Sequence, residues 1–549
     1  MVKDSGGGWR EFVVAALGFS ALTVVFTFPL AFHLGSVGRA DNGDGQFSIW
    51  NVAWVARALV VDPLHVFDAN IFYPHRLTLA YSESNLGAGA LAIPVYWATR
   101  NPYAAHNFVL LTSFVLSGCA MYYLVRHLTS DRRAAVVSAI AFAFCPYFRA
   151  HLPHIQLLMT AGIPLCALAF HRLVERPTPG RGGALGVAMA LQAYFCGYYA
   201  VFVALMIALA ALFFAAVRRV WLDKRYWTAL AIAVVVAAAS AAPILYAYLA
   251  HRQASGFSRS LSATDEFAAR GDSYRASPTY AHRWFAPDTR DWRDPLFPGF
   301  AALAFGVAGV VVAVKSNRRL QETAGWYAGL AVLAFWASFG SAGGLYSVMY
   351  WTVPMFAFLR APARFGLVVD FALAVLAGIG VSRFLAWQPR RGRVATLVIV
   401  GLTIAELSAP NRFPPVPPED EGYGVLAGLP PGPVLELPVY SRQFAFARER
   451  YMLSSTFHWM PLIDAYSDYT PDDFTAGANA LATFPSRDAF AVLAPMGARY
   501  AVIHVDKYDA PAREALVARL TEFAPYVRQR YAGDQLWLYE MTGFPSDAR

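Results

Sequence analysis

Gly38-Arg-Ala-Asp-Asn-Gly-Asp-Gly-Gln-Phe-Ser-Ile-Trp50 is the stretch on which the fold turns, because it sets an acidic, glycine-punctuated loop directly after the first long apolar run. Asp41 and Asp44 then stand at a membrane boundary, and Gly43 and Gly45 flank Asp44. Glycine relaxes the backbone there, so a carboxylate can be aimed at a ligand instead of being fixed by a helix or strand. A solvated turn after a helix would use the same residue types, and the rest of the chain has to decide between the two.

Of 549 residues, 57% are hydrophobic and only 15% charged. That balance lies outside the range of soluble domains and implies a polytopic α-helical membrane protein. The net charge of +9 comes from Arg and Lys clustered between apolar runs. The positive-inside rule distributes them in this way, so the charge reports topology and not nucleic-acid binding. Cys119, Cys145, Cys166 and Cys196 all fall inside apolar runs without metal-ligand spacing, so neither a disulfide framework nor a zinc site follows. The run after Lys3 and Arg10, ending near Pro29, lacks a small-residue cleavage site and reads as a first anchored span.

Apolar runs of roughly the 17 to 25 residues a bilayer requires fall at about 12–33, 106–126, 134–149, 155–173, 184–196, 199–217, 228–250, 298–314, 325–339, 363–386 and 394–410. The run 86–99 is apolar too, but Pro94 interrupts it and Arg100-Asn101-Pro102 closes it. If it crossed, the basic segments at 126–133, 172–181 and 218–219 would lie outside. If it does not, those segments and 315–319 and 390–393 all lie in the cytoplasm, which is the arrangement the positive-inside rule selects. The 86–99 run is therefore expected to be re-entrant or interfacial. That leaves about eleven crossings, with the N-terminus cytoplasmic and every elaborate loop outside, notably 35–105 and 251–297.

In the first loop, residues 47–61 predict a helix lying flat at the interface, with Trp50 and Trp54 on its apolar face. Glu83 is the other carboxylate expected near Asp44. The turn Arg149-Ala-His-Leu-Pro-His-Ile-Gln156 sets two imidazoles, His151 and His154, across a proline, and phosphate or sugar contact ranks ahead of a metal there. Arginines in the 251–297 loop, Arg283 among them, and in Arg360-Ala-Pro-Ala-Arg364 either snorkel to headgroups or clamp a phosphate. Asp370, within an apolar run, is expected to pair with an arginine of a neighbouring span.

The transmembrane domain is thus 1–410, and 411–549 reads as an extracytoplasmic soluble α/β domain behind a stiff linker of Pro414, Pro415, Pro417 and Pro418. Strands are expected at 433–438, 500–505 and 535–539, with helices around 473–495 and 511–527. At roughly 135 residues this domain can bury its own core. It contains no nucleophile elbow, phosphate loop or metal-spaced cluster.

This layout resembles the GT-C superfamily of integral membrane glycosyltransferases, which take sugars from polyprenyl-phosphate carriers. The resemblance rests on Asp41 and Asp44 after the first span, the multi-span core and the external C-terminal domain. It extends to a bacterial subset through Gly-Asp-Gly-Gln-Phe-Ser-Ile-Trp at 43–50, His-Leu-Pro-His-Ile-Gln at 151–156 and Leu-Phe-Pro-Gly at 296–299. The usual Asp-x-Asp is absent, since two residues separate Asp41 from Asp44.

The resemblance implies a sugar transferase of the bacterial inner membrane, with the prenyl tail of its donor lying between spans. Asp44 would be the general base, and Asp41 or Glu83 would assist or hold a divalent cation. Arg149, His154, Arg283 and Arg364 would meet the charge on the departing phosphate. His151 and Gln156 complete that substrate-binding set, and Tyr198 and Tyr199 would line the sugar pocket. The acceptor is a glycan, a lipid or a protein. The alternatives are a flippase or transporter of lipid-linked substrates, disfavoured by the lack of internal repeats, and a non-catalytic scaffold whose external domain binds partners.

Overall fold

The computed structural model describes residues 7–38, 43–285 and 295–546. They form two compact units. The first is Met1–Phe32, Phe108–Tyr246 and Gly256–Arg412, and the second is His33–Asn107, Ala247–Ser255 and Phe413–Arg549.

The main helices are α1 (Gly7–Phe26), α2 (Asp44–Val61), α3 (Leu86–Thr99), α4 (Pro102–Thr129), α5 (Arg132–Ala143), α6 (Gly162–Glu175), α7 (Pro179–Phe195), α8 (Gly197–Arg218), α9 (Lys224–Ser255), α10 (Phe300–Val314), α11 (Arg318–Ser338), α12 (Gly366–Ala386) and α13 (Gly392–Leu407). Each apolar run singled out above falls on a helix. Seven helical stretches among the described residues are long and apolar enough to cross a membrane, so this is a membrane protein. They are Gly8–Phe26, Pro102–Thr129, Arg132–Ala150, Ile155–Glu175, Gly197–Arg218, Lys224–Ser255 and Pro362–Ala386. The helices α3 and α10 are apolar but shorter.

Glycines set the helix crossings of the first unit. A Cβ on Gly380 would overlap the Phe305 carbonyl, and one on Gly309 the Leu376 carbonyl, so α10 and α12 touch backbone to backbone. Gly182 and Gly186 bring α7 equally close to α9 at Ala229 and Ala233. Lipid tails are as apolar as leucine, so close packing of this kind, and not hydrophobicity, holds such helices together.

In the second unit the indoles of α2 are buried in protein and do not meet the headgroups expected of them. Trp50 is wholly buried and Trp54 nearly so. Their indole N–H groups donate to Asn70 Oδ1 at 3.2 Å and the Val66 carbonyl at 2.9 Å, contacts that replace the headgroups. Gly89 of α3 lies against Val55 of α2, and Trp97 Nε1 donates to the Ala56 carbonyl at 3.1 Å.

The 62–85 segment is stitched to the C-terminal region. Tyr73 N donates to Leu462 O and Leu462 N to Asn70 O, while Asn70 Nδ2 reaches Ser455 Oγ. The proline-rich segment is tied down as well: Gly38 N donates to Pro414 O and Val416 N to Ser36 O.

The sheet has strands β1 (Val434–Leu437), β2 (Tyr500–His504), β3 (Val527–Ala532) and β4 (Leu536–Met541) in the order β1-β2-β4-β3. The β1/β2 pair is parallel and the other pairs are antiparallel. The expected strands are present at β1, β2 and β4. The edge strand β3 is additional, and the predicted 511–527 helix ends at Glu522.

Candidate functional site

Asp44 is the first residue of α2, and Gly43 before it has φ 127°, a backbone that glycine adopts without strain. The half-buried Asp44 carboxylate therefore sits at the positive end of a helix dipole. Ser48 and Asn51 follow on its face at one and two turns. Asn51 Nδ2 donates to the Glu83 carbonyl at 3.0 Å, which ties the Glu83 loop to the helix that begins with Asp44. Tyr248 clamps the same loop, its hydroxyl donating to Ser82 O at 2.8 Å and accepting from Ser84 N at 3.0 Å. Asp41 lies outside the described residues, as does the Asp291–Asp294 part of the 251–297 loop.

In the first unit the turn between Pro146–Ala150 and Ile155–Leu158 carries both histidines, with ring centroids 5.9 Å apart. His151 stacks on Tyr147 at 4.0 Å and its Nδ1 bonds the Tyr147 carbonyl at 2.7 Å. A carbonyl can only accept, so Nδ1 carries the proton and, in the neutral ring, Nε2 keeps its lone pair. Tyr199 stands behind this turn, fully buried, with its hydroxyl on Tyr147 Oη and Leu157 O. It is placed to position the His151 turn. Gln156 is half-buried on the same turn.

Tyr198 holds the arginine-bearing segment. Its hydroxyl accepts from the backbone N–H groups of Arg360 and Ala361, and the Arg364 guanidinium lies 4.2 Å over its ring. The structure thus places His151 and His154 with Tyr199, and Tyr198 with Arg364.

Arg149 and Arg283 stand elsewhere in the unit. Arg149 is buried and spends its guanidinium on oxygens of its own chain: Phe26 O at 2.8 Å, Ala409 O and Pro410 O at 3.3 Å, and Asn411 Oδ1. Arg283 is exposed, over the ring of Tyr280 at 4.6 Å.

Sequence reading missed the polar network beside Arg283. His282, wholly buried, bonds Ser277 and Thr279 through Nδ1 and Glu406 Oε1 through Nε2 at 3.0 Å. Glu406 also accepts from the Phe300 and Ala301 N–H groups that begin α10. Gly299, φ 97°, leaves room for that carboxylate, which accounts for the Gly of Leu-Phe-Pro-Gly. An acid inside the apolar run 394–410 was the available signal. Asp370 is buried with no ion-pair partner among the described residues, and the expected arginine is replaced by the thiol of Cys145. Among the described residues no three His, Cys, Asp or Glu side chains gather to hold a metal ion.

Neither a protein-family model nor a curated protein matches the chain. Among solved structures, the arabinofuranosyltransferase AftD from mycobacteria aligns over 100% of this chain at 15% identity with a TM-score of 0.59. The chain shares the fold of that structure. It spans 41% of the length of AftD. Weaker overlaps are with ArnT from Cupriavidus metallidurans (97% of this chain, 98% of that one, 14% identity, TM-score 0.48) and the oligosaccharyltransferase AglB from Archaeoglobus fulgidus (97% and 74%, 13% identity, TM-score 0.47).

Proposed function

We propose that the protein transfers a sugar from a polyprenyl-phosphate carrier to an extracytoplasmic acceptor, a glycan, lipid or protein, with inversion at the anomeric carbon. The observation that carries this reading is Asp44 at the first turn of a largely buried helix, in a chain whose fold is similar to part of the arabinofuranosyltransferase AftD. In the reaction the Asp44 carboxylate takes the proton of an acceptor hydroxyl. The acceptor oxygen forms a bond to the anomeric carbon as the bond from that carbon to the phosphate oxygen breaks, and the phosphate leaves with the electron pair.

A positioned base contributes about 10²- to 10⁴-fold to such a step. A cation that meets the charge developing on the leaving oxygen lowers the barrier further. On the donor side, Arg364 and the two histidines suit that role. Arg149, bonded to backbone carbonyls, suits a structural one. Glu83 serves as an assisting carboxylate beside α2. Asp41, which would hold a divalent cation together with Asp44, lies outside the described residues, and the proton transfer uses the Asp44 carboxylate alone.

The same reading takes about eleven helices as crossings, with the basic ends cytoplasmic and residues 411–549 extracytoplasmic. The test is turnover of a lipid-linked sugar by the purified protein, wild type beside Asp44→Asn and Arg364→Ala. Both variants are expected to lose transfer, and wild-type rates in Asp44→Asn would remove the base assignment.

A further inference from the structure

The basic end of the first unit contains a groove that topology alone does not explain. The corner between α4 and α5, Thr129-Ser130-Asp131, and the end of α12 at Ser382 bound a space of about 690 Å³ together with Arg126, Arg132 and Arg133. A neighbouring space of about 270 Å³ shares Thr129, Ser130 and Ser382 and adds Arg383.

Five arginines and a histidine at this end already face acids. Arg126 and Arg132 share Glu11 at 3.3 and 2.7 Å, Arg218 and Arg318 share Glu322 at 2.9 and 3.0 Å, and His127 and Arg319 share Glu175. Asp131, the one acid in the groove wall, accepts from the Arg133 and Ala134 N–H groups as the N-cap of α5. Arg133, Arg383, Arg390, Arg391 and Arg393 have no carboxylate partner among the described residues. Arg133 reaches across to α13, where a Cβ on Gly392 would come within 2.7 Å of its guanidinium. That draws the α5 end of the groove to the turn carrying the last three of these arginines.

We propose that this groove seats the phosphodiester headgroup of an anionic membrane phospholipid. Arg133 and Arg383 supply guanidinium forks that match phosphate oxygens in pairs, and the hydroxyls of Ser130 and Ser382 supply further donors. Apart from His127, every basic side chain lining the two spaces is arginine, which keeps its charge and fork where lysine would offer a point charge. A lipid, and not free phosphate, is indicated by the apolar flank. Leu385 and Ala386 line the groove, and Phe384 and Trp387 beside it are 37% and 68% exposed, as aromatic side chains are at the headgroup level.

The test is native mass spectrometry of the full chain carrying phosphatidylglycerol or phosphatidylcholine. Wild type is expected to retain phosphatidylglycerol selectively. Joint Arg133→Ala and Arg383→Ala substitution is expected to lower that retention roughly fivefold for each guanidinium removed. The corresponding pair of lysine substitutions is expected to fall between the two, and provides the reading if the alanine pair does not fold. Arg225→Ala, on the same basic end but outside the groove, is expected to match wild type. Equal retention in the alanine pair, a lysine pair equal to wild type, an equal loss in Arg225→Ala, or displacement of the lipid by inorganic phosphate would each overturn the proposal.

Discussion

Asp44 and Arg149 are both charged residues beside a membrane boundary, and the structure gives them different environments. Asp44 begins a helix, where the backbone favours its negative charge. Arg149 is bonded to the backbone carbonyls of Phe26, Ala409 and Pro410. Arg149→Lys keeps the charge and loses the fork, so it is expected to cost at least about 2 kcal/mol, read as a lower Tm in detergent. Lost transfer with an unchanged Tm would return Arg149 to the phosphate. Nothing in a sequence separates a guanidinium bonded to backbone from one bonded to ligand, which is why both stood among the site residues.

A second residue-scale consequence concerns pH. Asp464 is wholly buried, and burial pushes its carboxyl up from 3.8 to about 7, with Arg448 Nε at 3.9 Å pulling weakly the other way. The folded chain then holds a proton that the unfolded chain releases. This group's contribution to stability therefore falls as pH rises from about 4 to 7, by at most about 4 kcal/mol. Tm measured against pH is expected to drop across that window in wild type relative to Asp464→Asn. Parallel profiles would contradict it.

At the scale of elements, the apolar helices were readable because length and apolarity are local properties, and seven helical stretches among the described residues are long and apolar enough to cross a membrane. What locality could not give was the surroundings of α2. Two tryptophans on one face suit a headgroup layer and a protein core equally, and only the partners Asn70 and Val66 decide. The strand β3 was missed because Arg528, Gln529 and Arg530 are exposed on an edge and lack an apolar alternation. The contact between α2 and α3 is itself testable. Gly89→Leu would drive a side chain into Val55 and is expected to destabilise by roughly 1 to 3 kcal/mol or more and to lower transfer, since α2 carries Asp44. Gly424→Ala, where nothing lies within 4 Å, is expected to leave both unchanged. Tm and turnover of the two variants together provide the check.

At the scale of the whole molecule, the association of residues 33–107 with 413–549 in one unit is absent from the sequence pattern, because bonds such as Asn70 to Ser455 join positions 385 residues apart. Topology is a separate matter. A reporter fused after Arg133 is expected on the cytoplasmic side, and an external reporter would mean that α3 crosses the membrane. The central claim is that Asp44 removes the proton from an acceptor during sugar transfer. The most direct measurement is the rate at which purified full-length protein consumes a polyprenyl-phosphate-linked sugar, wild type against Asp44→Asn. The account predicts transfer by wild type and a loss of about 10²- to 10⁴-fold in the variant, and equal rates from the two would contradict it.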